Sequence, residues 1–464
     1  MTRETAIAAA ESRFDSGAFI EDLARLVAIP SESQRPESAP ALTRYLEEAM
    51  RPMLEGMGFA CRIAPNPVAG AGPFLIAERR EGDDLPTVLT YGHGDVVLGM
   101  EGRWRDGLSP WRLTEEGDRI YGRGTADNKG QHLVNFSALR AVLETRGRLG
   151  FNMRVVIETG EEMGSPGLDE LFIIEREALS ADLLIASDGP RLSASRPTLF
   201  MGARGALTME LSVDLREGAH HSGNWGGLLA DPGVILSHAL ASITDARGAI
   251  LVPEWRPDSL TDSVRAALAD LEIEPAASGP AIDHDWGEPG FSLPEKVFGW
   301  NSFAVLAAIC GDPVRPVNAI QPSARAWCQL RFVVGTDMDD IVPALRRHLD
   351  RAGFAMVKVE QSESARFTAT RLDPDQPWAR WARDSVERTI GARPAILPNL
   401  GGSLPNESFA VTLGMPTIWA PHSYAGCSQH APDEHALRPV LREGLGVMAG
   451  LWWDLGAPGT PGRG

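Results

Sequence analysis

Three short apolar runs, each closed by a residue able to bind a metal, constrain the fold of this chain more than any other feature. Thr87–Tyr91 reads as a strand running into Gly92-His93-Gly94-Asp95. Arg154–Ile157 reads as a second, ending near Glu161-Glu162, and Asp182–Ala186 as a third, ending at Asp188. Continuous Val/Ile/Leu runs alternating with helical patterns predict an α/β fold with a mostly parallel sheet covered on both faces. Such sheets bind ligands outside the carboxyl ends of their strands. Three strand ends therefore deliver an imidazole and several carboxylates to one rim. A fourth segment, Gly124-Thr-Ala-Asp127-Asn-Lys-Gly130, precedes a helical pattern over 128–145, which sets Asp127 beside a helix N-terminus, where a carboxylate is favoured.

At 464 residues the chain exceeds one ordinary core, and two domains are expected. Texture changes near Met201-Gly-Ala-Arg204. From there, strands at 206–215, 324–333 and 355–359 and helices at 232–242 and 341–352 predict a small α+β sandwich. It would occupy 204–371, inserted into a catalytic domain made of 1–203 and 372–464. Residues 251–294, rich in Pro, Asp and Glu, read as irregular and exposed. A formal net charge of -18 excludes nucleic acid and anionic membrane as partners, since both need a basic face. No run approaches the ~18 apolar residues of a membrane span. Four scattered cysteines read as free thiols of a reducing compartment, and a cytoplasmic location is expected.

The four segments, in this order and spacing, resemble the M20 family of zinc-type aminoacylases, carboxypeptidases and dipeptidases. The resemblance continues through His221-Ser-Gly-Asn-Trp-Gly-Gly227, Asn318-Ala-Ile-Gln-Pro322, Arg331-Phe-Val-Val-Gly-Thr-Asp337, Gly401-Gly402-Ser403 and His430-Ala-Pro-Asp-Glu434, nearly the whole chain. It implies a zinc-peptidase-like catalytic domain with an inserted lid and dimerisation domain. It also implies two divalent metal ions, zinc foremost, with manganese or cobalt also suited to imidazole and carboxylate donors. By that resemblance His93, Asp127 and Asp188 hold one ion, while Asp127, Glu162 and His430 hold the other. Glu161 becomes the general base, and Asp95 the carboxylate that orients His93.

His221, in the lid, would reach the partner subunit's site as an oxyanion donor, with Asn318 as a second donor. Arg331, Gly401, Gly402 and Ser403 would bind a substrate carboxylate. Spacing alone does not choose among His422, His430 and His435; the family pattern selects His430. In relatives of the dipeptidase branch Arg-Glu precedes the Gly-Gly-Ser/Thr loop, whereas this chain has Asn399-Leu400, which points to a less polar substrate group. Trp225, Trp286, Trp300 and Trp419 suit either an apolar substrate moiety or the core. The leading expectation is a homodimeric hydrolase that cleaves an amide of a dipeptide or N-acyl amino acid. An aryl-amine or amidine hydrolase on the same fold and an inactive dimeric binding protein are the alternatives. A dinucleotide-binding fold is disfavoured, since Gly122-Arg-Gly124 lacks the full fingerprint.

Overall fold

The computed structural model describes residues 1–273, 280–362 and 366–461. Of the strands that build the two large sheets, six come first: β1 (Ala60–Ala64), β2 (Phe74–Arg79), β3 (Thr87–His93), β4 (Asn152–Glu158), β5 (Leu183–Ala186) and β6 (Thr198–Phe200). Four more follow: β7 (Gly205–Asp214), β8 (Ser302–Ile309), β9 (Ser323–Phe332) and β10 (Lys358–Gln361). The chain then returns with β11 (Ala395–Leu397) and β12 (Thr417–Trp419). The first six and the last two form one eight-stranded sheet in the order β1-β2-β4-β3-β5-β12-β6-β11. Its centre, β4-β3-β5-β12, is parallel throughout.

Alternation along the strands divides the apolar residues between two helical layers. On one face Val88, Val155 and Ile185 meet the helices Arg3–Asp15, Lys129–Arg146 and Arg438–Leu455. On the other, Leu89, Tyr91 and Val156 meet Leu171, Phe172 and Phe409. Both faces are therefore dry, which is why these strands read as unbroken apolar runs.

The other four strands form an antiparallel sheet in the order β8-β9-β7-β10. Strand β9 alternates strictly, burying Ala324, Ala326, Cys328, Leu330 and Phe332. Its buried face packs with Leu236, Ala239 and Ile243 of helix Pro232–Ile243 and with Ala344, Leu345 and Leu349 of helix Ile341–Arg351. Strand β8 is exposed along nearly its whole length.

Two local expectations change. The final strand of this sheet begins at Lys358 rather than Ala355. The segment expected to be irregular holds helix Asp262–Leu268, whose Val264 and Leu268 pack into the core of the large sheet, and a fully buried Trp255. Residues 274–279 of it lie outside the described residues. Isolated burial among prolines and acids leaves little periodicity to read. Among the described residues no helix is long and apolar enough to cross a membrane.

Candidate metal centre

Every strand end singled out above opens onto the same rim. Strand β3 ends at His93, paired in register with Glu158 at the end of β4. Asp188 follows β5 by two residues. Asp127 immediately precedes Asn128, the N-terminal cap of helix Lys129–Arg146. That helix can approach so closely because Gly130 has no side chain: a Cβ there would lie 2.0 Å from the Thr125 carbonyl oxygen.

Asp127 sits between two histidines, one on each carboxylate oxygen. His93 Nε2 lies 3.0 Å from Oδ1, and His430 Nε2 lies 3.1 Å from Oδ2. Asp188 Oδ2 stands 3.7 Å from His93 Nε2, and Glu162 Oε2 stands 3.0 Å from His430 Nε2. The result is two donor groups, His93/Asp127/Asp188 and Asp127/Glu162/His430, that share Asp127. Glu161 Oε2 is 4.0 Å from His93 Nε2 and borders the same cavity. His93 is fully buried, whereas the side chain of His430 is 53 % exposed.

The electrostatics ask for cations. Burial, and then the charges of Asp188, Asp127 and Glu162 against the counter-pull of His93, hold the Glu161 carboxyl well above the ordinary range. Burial and Asp127 push Glu162 up to about 7 and Asp188 up to about 6. Burial alone would lower His93; its hydrogen bonds to Asp127 and Asp95 outweigh that and raise it well above the ordinary range. Hydrogen bonds to Asp127 and Glu162 raise His430 to about 10. Without metal, protons therefore take the place of positive charge, and a donor set so crowded with carboxylates fits divalent cations.

A prediction follows from the signs. Groups whose folded pKa is raised stabilise the fold fully below their unfolded pKa, roughly 4 for carboxylates and roughly 6.5 for histidine. That contribution is lost as pH rises through about 6 to 7 for Asp188 and Glu162, and towards about 10 for His430. Metal-stripped protein should lose thermal stability from pH 5.5 to 8, and added zinc should remove most of the loss, because the ion replaces the departing protons. Melting curves with and without zinc at each pH measure this; a zinc effect that shrinks as pH rises would contradict it.

Supporting residues make the frame rigid. The Asp95 carboxylate, expected to orient His93, has its hydrogen bonds elsewhere. The His93 Nδ1 bond goes to the Asp95 backbone carbonyl at 3.0 Å, with the carboxylate 3.4 Å away. The Asp95 carboxylate instead accepts the backbone N–H groups of Glu161 and Glu162, at 3.2 and 3.1 Å. Glu434, to which its place in the sequence assigns no role of its own, is buried, and its Oε1 accepts the N–H groups of Gly124, Ala126 and Asp127. Its Oε2 takes Arg123 Nη1 at 2.6 Å. Gln429 donates to Asp127 Oδ2. Its place beside His430 was the only available signal.

The three C-terminal histidines separate cleanly. His430 joins Asp127, whereas buried His422 lies 3.1 Å from Ser187 Oγ, behind Asp188. His435 is buried and pairs with the Tyr424 hydroxyl.

Gly402 and Ser403 line the cavity, and Arg331 Nη1 reaches Ser403 Oγ at 3.2 Å. Gly401 packs towards Val297 and Phe298 instead. His221 and Asn318 do not line it. They meet on a short two-stranded antiparallel ribbon formed by segments distant in sequence, where His220 and His221 pair with Ile320 and Ala319, and Ser222 N–H donates to the Asn318 carbonyl. None of Trp225, Trp286, Trp300 and Trp419 lines the cavity: Trp300 and Trp419 are buried, and Trp225 and Trp286 are exposed. The four cysteines are free; burial and Glu434 push Cys427 up to about 11, which makes it a poor thiolate ligand.

Fold and donor set together define a metal-dependent peptidase acting on C–N bonds. Residues 89–454 match a model of peptidase family M20/M25/M40, and the chain belongs to that family. It is 27% identical over 409 residues to a cysteinylglycine-S-conjugate dipeptidase of Corynebacterium striatum, covering 83% of this chain and 84% of that one. A Beta-Ala-His dipeptidase of Mus musculus is 32% identical over 253 residues, 51% of this chain and 50% of the mouse protein. Among solved structures, the di-peptidase Dug1p of Saccharomyces cerevisiae superposes with a TM-score of 0.72 at 21% identity, covering 99% of this chain and all of that one. That likeness places the fold.

Proposed function

We propose that this chain is a dinuclear metal dipeptidase that also accepts related small amides bearing a free carboxylate. The shared Asp127, with one histidine on each oxygen, carries the reading: a carboxylate so placed would belong to both donor groups at once. His93, Asp127 and Asp188 would hold one ion and Asp127, Glu162 and His430 the other, zinc first and manganese or cobalt next. Two such ions supply Lewis acidity, polarising the scissile carbonyl and acidifying water.

Glu161 takes the proton from the attacking water and passes it to the leaving nitrogen. Its raised affinity for a proton and its place on the cavity wall suit both transfers. Asp95 positions it by holding the backbone of the Glu161-Glu162 turn. Arg331 and Ser403 hold the substrate carboxylate, and the Gly402 backbone leaves room for it. The dipeptidases among the relatives support the substrate class. Free cysteines and a strongly negative charge accord with a cytoplasmic location.

His221 and Asn318 stand apart from their own chain's cavity, so they would serve the partner of a homodimer. His221 Nδ1 accepts from the Gly223 N–H at 3.1 Å, which leaves Nε2 to carry the ring proton as a donor. Edge strand β8 supports a second copy: Val305, Leu306 and Ile309 are about half exposed, and an apolar edge of this kind needs covering.

The experiment is complementation. Chelation should abolish dipeptide cleavage. His221→Ala should lower kcat by roughly 10²–10³-fold with metal content intact. Mixing it with Glu161→Gln protein should restore part of the activity, since the intact Glu161 site receives its histidine from the other chain. Full activity after complete metal removal would end the reading, and no rescue after confirmed subunit exchange would remove the shared lid.

A further inference from the structure

The cavity that the metal residues share with Gly402 and Ser403 has an apolar stretch of wall. The cavity, about 260 Å³, is lined by Asp127, Glu161, Asp188 and His430 and also by Ser403. Pro190, Leu400 and Leu404 lie along it. Leu400 is fixed there by its own backbone: its N–H donates to the Gly202 carbonyl at 2.8 Å, and its carbonyl accepts from Arg204 N–H at 3.1 Å. With its Cα pinned, its side chain lies over Gly189 and Gly402, where an added Cβ would come 3.4 and 3.8 Å from Leu400 Cδ2.

The neighbouring polar residue is turned away from this space. Asn399 is buried, and its Oδ1 accepts both Nε and Nη2 of Arg371, at 3.0 and 2.9 Å. Arg371 also donates to the carbonyls of Ser259 and Phe298. The guanidinium nearest the Asn399-Leu400 pair is thus occupied by an amide and two carbonyls and offers nothing to a ligand's charged side chain. Leu404 is itself 7% exposed and sits in the same apolar cluster that Leu400 packs against.

We propose that Leu400, Leu404 and Pro190 form a subsite for an apolar side chain on the carboxylate-bearing residue of the substrate. This rests on the dipeptidase reading above. With the scissile carbonyl at the metal residues and the carboxylate at Arg331 and Ser403, the side chain of the residue between them meets this wall. An acidic side chain would lose its water against these leucines, with Arg371 already held by Asn399. An ammonium would be stripped of water against leucines, with Asn399 already taken. The substrates singled out are dipeptides ending in leucine, valine or methionine, and the matching N-acyl amino acids.

The test is a series of kcat/KM values on metal-loaded protein with Ala-Leu, Ala-Gly, Ala-Asp and Ala-Lys. Ala-Leu should exceed each of the others by roughly 10-fold or more, the scale on which an apolar pocket discriminates. In Leu400→Glu the ratio of Ala-Leu to Ala-Lys should fall by at least about 10-fold, while Leu400→Met, which conserves volume, should keep it. Because a ratio is read, partial loss of folded protein does not obscure the outcome, and the series on the unaltered protein stands without the variants. Cleavage of Ala-Asp or Ala-Lys at or above the rate for Ala-Leu overturns the subsite. So does an unchanged ratio in Leu400→Glu. Metal-loaded protein that cleaves no dipeptide or N-acyl amino acid overturns the dipeptidase reading and the subsite together.

Discussion

Glu161→Gln protein is expected to keep its metal and lose most of its turnover. The amide has the size of the carboxylate and keeps the backbone bond to Asp95, but it cannot take a proton from water. General acid–base groups contribute on the order of 10²–10⁴-fold in rate. Glu161 performs both transfers in the proposed cycle, so the loss should lie towards the upper end. Metal content by elemental analysis and kcat on a cleaved dipeptide are the two measurements. Glu162, one residue on, supplies the contrast: it lies 3.0 Å from His430 Nε2 in the second donor group, so Glu162→Gln should lose metal as well as rate. Near-normal turnover in Glu161→Gln would remove the base from the mechanism and leave the donor groups untouched.

The second large effect is on stability, at Glu434. Truncation to alanine would leave three backbone N–H groups without their acceptor and Arg123, itself fully buried, without its carboxylate. Breaking one side of a buried ion pair costs about 3–5 kcal/mol. Arg123 retains the carbonyls of Leu98 and Ala431 and the face of Trp104, which favours the lower part of that range. The same change frees the loop before Asp127, and loss of a residue supporting a metal ligand lowers metal affinity by roughly 10–100-fold. Glu434→Gln keeps an acceptor for the three N–H groups and should fall between. Thermal unfolding and metal titration together check this. A Glu434→Ala protein that melts and binds metal like the parent would show that the Gly124–Asp127 loop holds its own shape.

Much of this was legible in the linear chain because the relevant rules are local. Strand runs that are apolar on both faces mark a covered parallel sheet, and such sheets gather their chemistry at the strands' carboxyl ends. The chain alone therefore points His93, Glu161, Glu162 and Asp188 to one rim, and Asp127 to a helix start. What escaped was of two kinds. Short segments with a single buried anchor, such as Trp255 and helix Asp262–Leu268, carry too little periodicity to stand out among prolines and acids. Long-range polar contacts carry none at all.

The sequence by itself determined which residues arrive at the rim, because chain direction and strand alternation are properties of each segment. Only the tertiary structure decided how they are held there. Glu434 grips Gly124 across 310 positions, and Asp95 clasps the Glu161-Glu162 turn from a neighbouring strand end. Asn399 turns its oxygen to Arg371, so that of this pair Leu400 is the residue lining the cavity. Among three histidines near the C-terminus, His430 meets Asp127 while His422 and His435 find partners elsewhere. Each of these depends on which buried polar atom finds its partner once the layers close. That is a property of packing, where leaving a partner unmet costs more than any local preference supplies.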